Sequence, residues 1–119
     1  MPFSPSEPDR TACADIIANA ERAARFVAGF TLETFEADER THFAVVRCLE
    51  IVLQASRRLS AETKARYPAV PWRQIADAGN VHRHSYHRVT LDIVWLTVHH
   101  ELSVRAAACR AELDCAPES

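Results

Sequence analysis

The segment Thr90-Leu-Asp-Ile-Val-Trp-Leu-Thr-Val-His-His-Glu-Leu102 sets the fold class. Its apolar residues Leu91, Val94, Trp95, Val98 and Leu102 stand at offsets 0, 3, 4, 7 and 11. An α-helix with one buried face produces that recurrence, and a half-buried strand would alternate instead. The pattern predicts a helix over 90–113, opening at Thr90 with Asp92 and Ile93, and a frayed tail over 114–119.

The same period recurs upstream. Val45, Leu49, Val52, Ser56 and Leu59 make one stripe of a helix over 38–59, widened by Val46 and Leu53. Ile16, Ala20, Ala23 and Val27 mark a helix over 11–29, with Ile17 and Ala24 beside the stripe and Asp15, Asn19, Arg22 and Arg25 largely off it. Gly29 is a plausible stop. Phe30, Leu32 and Phe35 read as a connector or a single turn that covers the core. Residues 60–69 read as a polar link with room for one helical turn, and Thr63 is not the Glu or Gln that would complete a capping box with Ser60. A further helix is expected over 71–86, because Pro71 suits a first helical position, where no backbone donor is needed. Trp72 and Trp95 each fall on an apolar stripe and are expected in the core. Hairpin dipeptides, Gly-rich phosphate loops and repeats are absent from the sequence. The expected fold is all-α, an up-and-down bundle of four to five helices over 11–113, between a disordered arm (1–10) and the tail.

Composition narrows the function classes. The 119 residues suit one domain with one core, and 48% apolar with 25% charged is ordinary for a folded chain. A net charge of −2 is too acidic for a general nucleic-acid coat, so any RNA contact must be local. No apolar run nears the roughly 18 residues of a membrane helix, and the first residues lack the layout of a signal peptide. Cys13, Cys48, Cys109 and Cys115 show no CxxC spacing and read as reduced thiols of a cytoplasmic protein.

Chemistry concentrates in Val70-Pro-Trp-Arg-Gln-Ile-Ala-Asp-Ala-Gly-Asn-Val-His-Arg-His-Ser-Tyr-His-Arg-Val89. On a helix, Asn80 and His84 share a face, Arg83 stands three from Asn80, and Tyr86 lies close by. An imidazole moves protons near neutrality, and a guanidinium grips phosphate oxygens and stabilises charge developing on phosphorus. Those two groups are the minimum set for RNA cleavage without a metal, in which the 2′-hydroxyl attacks its own phosphate. Other chemistries fit less well. His82 and His84 point about 200° apart on a helix, and no Cys or carboxylate at ligand spacing accompanies His84 and His87, so neither metal nor cofactor is called for. Ser85 beside His84 is not a nucleophile–base pair. Glu33, Glu36, Asp38 and Glu39 suit a helix start better than paired acid–base work. On the 38–59 helix, Arg47, Glu50 and Gln54 form a polar ridge, either a solvated face or the lining of a cleft opposite the Asn80–His84 helix.

On these residues the chain resembles the HepT-like proteins of the HEPN superfamily. The resemblance runs through Arg47-Cys-Leu-Glu-Ile-Val-Leu-Gln-Ala-Ser-Arg-Arg-Leu59, Lys64-Ala-Arg-Tyr-Pro-Ala-Val-Pro-Trp-Arg-Gln-Ile75, Gly79-Asn-Val-His-Arg-His-Ser-Tyr86 and Ile93-Val-Trp95, and spans about residues 11 to 113. It implies an all-α homodimer with a cleft near the subunit contact and RNase activity. It also implies the toxin role of a two-gene toxin–antitoxin module, with a minimal nucleotidyltransferase as antitoxin. The family motif is an Arg, four to six residues, a His, one residue and a Tyr. His84 and Tyr86 match the His and the Tyr, and Asn80 the polar residue after the Arg. Gly79 stands where the Arg belongs, and Arg83 directly precedes His84. An adjacent Arg starts about 100° off the His face, so Arg83, Arg47 or a residue of a partner subunit would have to supply the cation. The resemblance further implies AMP transfer from ATP onto Tyr86 by the nucleotidyltransferase. Its rivals are a helical module that binds the nucleotidyltransferase without cleaving RNA, which Gly79 favours, and a nucleotide-binding bundle.

Overall fold

Helix α1 (Glu7–Val27) starts where Ser6 accepts a hydrogen bond from the Asp9 amide, with Pro8 in the first turn. That start lies four residues before the expected one at residue 11, so 7–10 are helical where an arm was expected. A computed structural model describes residues 6–72 and 88–114 of the chain. It shows α2 (Leu32–Ala37), α3 (Glu39–Arg58) and α4 (Ala61–Arg66). After residue 87 follow α5 (Arg88–Leu96), a π turn (Thr97–Glu101) and α6 (Leu102–Asp114). The architecture is all-α.

Short polar side chains fix the starts of α1 to α4. Thr31 and Thr34 exchange side-chain and backbone hydrogen bonds in a reciprocal cap on α2 (2.8 and 3.1 Å). Asp38 accepts from the Thr41 amide on α3, and Ser60 from the Thr63 amide on α4. Ser60 therefore caps α4 without a Glu or Gln three residues later. At the end of α1 the chain reverses through Ala28 and Gly29, with the Phe30 amide bonded to the Val27 carbonyl. Gly29 has φ +83°, a value that side chains with a Cβ rarely adopt.

The expected stripes are the core. Ile16, Ala20, Ala23 and Val27 of α1 meet Val45, Leu49, Val52 and Leu59 of the α3 stripe, and Leu91, Val94, Val98 and Leu102 join them. Phe35 of α2 is fully buried, and Trp72 and Trp95 pack partly buried against the same cluster. Asn19 is a correction. It was placed off the stripe but is buried, its amide donating to the Asp15 carbonyl and accepting from Arg22.

The long C-terminal helix is one rod with a break in its ladder. The Leu102 amide donates to the Thr97 carbonyl, five residues back, and the Thr97 hydroxyl takes the Ile93 carbonyl at 2.8 Å. A turn with one extra residue rotates the following residues by about 100°. Accordingly α5 packs against α2 and α3, while α6 packs against α1.

A buried polar knot joins α1, α4 and α6. Asp9 accepts from the Ser60 amide (2.9 Å), the Ser60 hydroxyl (2.8 Å) and the Thr63 hydroxyl (2.8 Å). Glu112 Oε2 lies 3.2 Å from the same Thr63 oxygen. Thr63 has one proton, and the shorter distance gives it to Asp9. Glu112 is satisfied by Arg66 instead, through Nε to Oε1 (3.2 Å) and Nη2 to Oε2 (2.6 Å). The exposed pairs Arg58–Asp15 and Arg110–Glu21, 2.7 Å each, add little beside this.

Two outcomes follow for stability. Gly29→Ala should lower it by about 1 kcal/mol in thermal or urea unfolding, from backbone strain alone, since an added Cβ meets nothing within 4 Å. Burial pushes the Asp9 carboxyl up, but the Ser60 and Thr63 hydrogen bonds together outweigh it and hold it below its ordinary value. A depressed folded pKa stabilises the fold above the ordinary carboxylate pKa, and that contribution fades as pH falls towards the folded value. Urea midpoints should therefore drop below about pH 4, and Asp9→Asn should lower stability at pH 7 and flatten that acid limb.

Candidate functional site

The two ends of the interval that carries the candidate chemistry are held by the core. On the N-terminal side, Val70 is 4% exposed, its amide bonded to the Tyr67 carbonyl at 3.1 Å. The Trp72 indole N–H lies 3.3 Å from the carbonyls of Lys64 and Tyr67, and so closes over the end of α4. On the C-terminal side, Leu91 and Val94 seat α5 in the core. Asn80, Arg83, His84, Tyr86 and Gly79 lie between these ends and outside the described residues, as does the expected helix over 71–86 from residue 73 onward.

Arg105 is what grips the N-terminal side. Its side chain is fully buried, with the guanidinium 4.6 Å above the Trp72 ring centre. One Nη donates to the Ser56 hydroxyl at 2.9 Å and the other to the Pro71 carbonyl at 3.3 Å. Its Nε has no partner among the described residues. Burial pulls the guanidinium down to about 10, against the opposing pull of Glu101 and Cys109, so the group stays charged at neutral pH. Among the described residues no carboxylate pairs with this buried cation, and it ties α6, α3 and the Pro71–Trp72 step together. Sequence reasoning missed it. The signal was present, because Ser56 and Arg105 are the polar members of two apolar stripes, and they meet each other.

The ridge on α3 is at the surface. Arg47 is 63% exposed and reaches Glu50 at 3.3 Å, a loose pair in water. Gln54 is exposed one turn on, and Phe43, one turn before Arg47, is 52% exposed. The Arg47 guanidinium is therefore available to an anion, which would need only to displace Glu50.

His42 and His99 sit beside aromatic rings. His99 donates from Nδ1–H to the Trp95 carbonyl (2.9 Å), its ring 4.1 Å from the Trp95 ring. Trp95 in turn lies 5.3 Å from Phe35. His42 is buried beside Phe35, and burial lowers its pKa against the pull of Glu39 and Asp38. His42 is a packing element of the α2–α3–α5 corner, while His99 lies exposed in the π turn against Trp95. Among the described residues no three of His, Cys, Asp and Glu gather as metal ligands would. Likewise, no described helix is long and apolar enough to cross a membrane.

Comparison with known proteins follows the same boundaries. The family described as "Ribonuclease HepT-like" matches residues 16–111. A protein of Thermococcus cleftensis named "Probable ribonuclease HepT" is 33% identical over 88 residues, 74% of this chain and 80% of that protein. A Methanocaldococcus jannaschii protein with an RNase name is 31% identical over 81 residues, 68% of this chain and 67% of its own. Another from Caldanaerobacter subterraneus subsp. tengcongensis is 34% identical over 76 residues, 64% of this chain and 68% of its own. No solved structure matches.

The Arg105 grip makes a definite prediction. A lysine there carries a point charge that cannot span Ser56 and Pro71 while stacking on Trp72. Arg105→Lys should cost about 2 kcal/mol in urea unfolding and alter the tryptophan emission of the folded state.

Proposed function

Starting from a chain that belongs to the HepT-like ribonuclease family, we propose that it cleaves RNA without a metal, as the toxin of a toxin–antitoxin module in the cytoplasm. The observation that carries the reading is the family match over 16–111, an interval that includes Asn80, Arg83, His84 and Tyr86. His84 acts as general base or acid. In the base role it takes the 2′-hydroxyl proton as that oxygen attacks the adjacent phosphorus and the 5′-oxygen leaves. Arg83 and Asn80 hold the phosphate oxygens and stabilise the charge that grows on them. Arg47 and Glu50 are the proposed cleft lining, with Arg47 exposed and loosely paired and so able to turn to a phosphate. The proposed assembly is a homodimer with its cleft near the subunit contact, and the proposed partner is a minimal nucleotidyltransferase. That enzyme would transfer AMP to Tyr86, adding a phosphodiester charge beside Arg83 and so repelling RNA.

Gly79 supports a second reading. With no Arg one turn before His84, cleavage is lost and the chain is a helical partner of the nucleotidyltransferase. Catalytic geometry tolerates little displacement, so the two readings separate cleanly in an assay.

Purified protein should cleave RNA in EDTA as well as with added magnesium, and His84→Ala should abolish cleavage with an unchanged melting curve. Arg83→Ala should act in the same direction. Retention in Arg83→Ala with loss in Arg47→Ala would move the phosphate ligand to α3. Wild-type protein that cleaves no RNA supports the binding module. Incubation with the cognate nucleotidyltransferase and ATP should add increments of roughly 329 Da, the mass of one AMP unit, and Tyr86→Phe should remove them. Light scattering should give twice the 13.3 kDa chain mass, and a monomer at micromolar concentration contradicts the dimer.

A further inference from the structure

Helices α1 and α6 run antiparallel, and two levels of contact fix their register. At the outer level Asp9 and Glu112 both approach Thr63, whose hydroxyl donates to Asp9 (2.8 Å) with Glu112 Oε2 3.2 Å from the same oxygen. At the inner level Ala20 and Ala24 face Leu102 and Ala106 across a shallow groove. Between those levels, Cys13 stands one turn inward of Asp9 and Cys109 one turn inward of Glu112. The register sets the two sulfurs on facing sides of the α1–α6 contact, where each perturbs the other. Both belong to the same core cluster, at 0% and 2% exposure. The neighbouring residues Ala12, Ala20 and Ala106 are small and buried, which favours a close approach of the two helices. Cys48 is buried elsewhere on α3.

We propose that Cys13 and Cys109 form an oxidisable pair that a small hydroperoxide closes into an intrachain disulfide between α1 and α6. The proposal is independent of RNA cleavage. The two sulfurs are not equivalent. The interaction with Cys109 pulls the Cys13 thiol down, more than burial pushes it up. The same interaction, and then burial, push Cys109 up. Cys13 is therefore the first nucleophile. Its thiolate attacks one peroxide oxygen, the O–O bond breaks, and the other oxygen leaves as water or an alcohol after taking a proton. The Cys109 sulfur then attacks the Cys13 sulfenic sulfur. The S–S bond forms, and hydroxide leaves as water with the Cys109 proton. Two thiols are oxidised by two electrons, and the peroxide is reduced by two.

Access is governed by the polar knot. Cys13 lies in the second turn of α1 and Cys109 in the last turns of α6, where helices open most readily. The Asp9–Thr63–Glu112 contacts lie directly outward of the pair, so loosening them speeds oxidation. Cys48 and Cys115 are replaced in a Cys48→Ala, Cys115→Ser background, and that protein is treated with hydrogen peroxide. Intact mass should fall by about 2 Da, the two thiol hydrogens, and a phosphine reductant should restore it. The thermal midpoint of the oxidised form should rise, and Thr63→Val should raise the oxidation rate several-fold. Non-reducing peptide mapping of the wild-type chain should recover the Cys13 and Cys109 peptides joined, whether or not the background variant folds. Gains of whole oxygen masses in place of the loss, covalent dimers, or a map joining other cysteines would overturn the proposal.

Discussion

Ile16, Ala20 and Ala23 lose nearly all contact with water only because α3 closes one side of α1 and α6 the other. The stripe on α1 is narrow and built largely of alanine, so neither neighbour can stand far off without opening a void. That close approach is what everything else inherits. It sets the antiparallel register of α6, brings Arg105 over Trp72, and lets Asp9 and Glu112 reach one hydroxyl. Burial of small side chains supplies modest hydrophobic free energy per residue, and the polar knot at the open end of the three helices adds directional contacts where the apolar surface runs out.

The interior is accordingly of two kinds. One half is ordinary: Val, Leu, Ile and Phe on three stripes. The other half is charged, with Arg105, Glu112 and Asp9 all nearly dry. Glu112 has a guanidinium and Asp9 has three donors, so both are compensated. Arg105 is less well served, and its contacts go to a hydroxyl, a carbonyl and an aromatic face. Among the described residues it bonds the Pro71 carbonyl and stacks on Trp72, and so ties the core to the chain that leads into the motif.

How much of this was legible in the sequence depends on the physics of each element. The helices were, because a 3.6-residue period is written directly in Leu91–Leu102 and Val45–Leu59. The start of α1 was not: Glu7 and Asp9 look like solvated acids of a first turn, and only the donors of Ser60 and Thr63, more than fifty residues away, bury Asp9. Asn19 was misplaced for a related reason, since its bond to the carbonyl of Asp15 satisfies it in place. The chemistry of Asn80, Arg83, His84 and Tyr86 was readable as residue types and as a family likeness, and the match over 16–111 agrees with the family. Their mutual placement depends on backbone outside the described residues. Arg105 carried a readable mark, a charge on an apolar stripe, whose meaning required knowing that Ser56 would stand opposite.

The π turn at Thr97–Glu101 ties the fold to the gene in an unusual way. Removing one codon there would yield a more regular helix, every amide bonded four residues back. Locally it would be an improvement. Downstream, however, Arg105, Cys109 and Glu112 would each swing by about 100°, away from Trp72, Cys13 and Thr63. The irregularity works like a phase offset between two halves of a screw: α5 is threaded for α2 and α3, and α6 for α1. The coding length of this stretch is thus fixed to the single triplet, though no side chain in it holds the bundle together by itself.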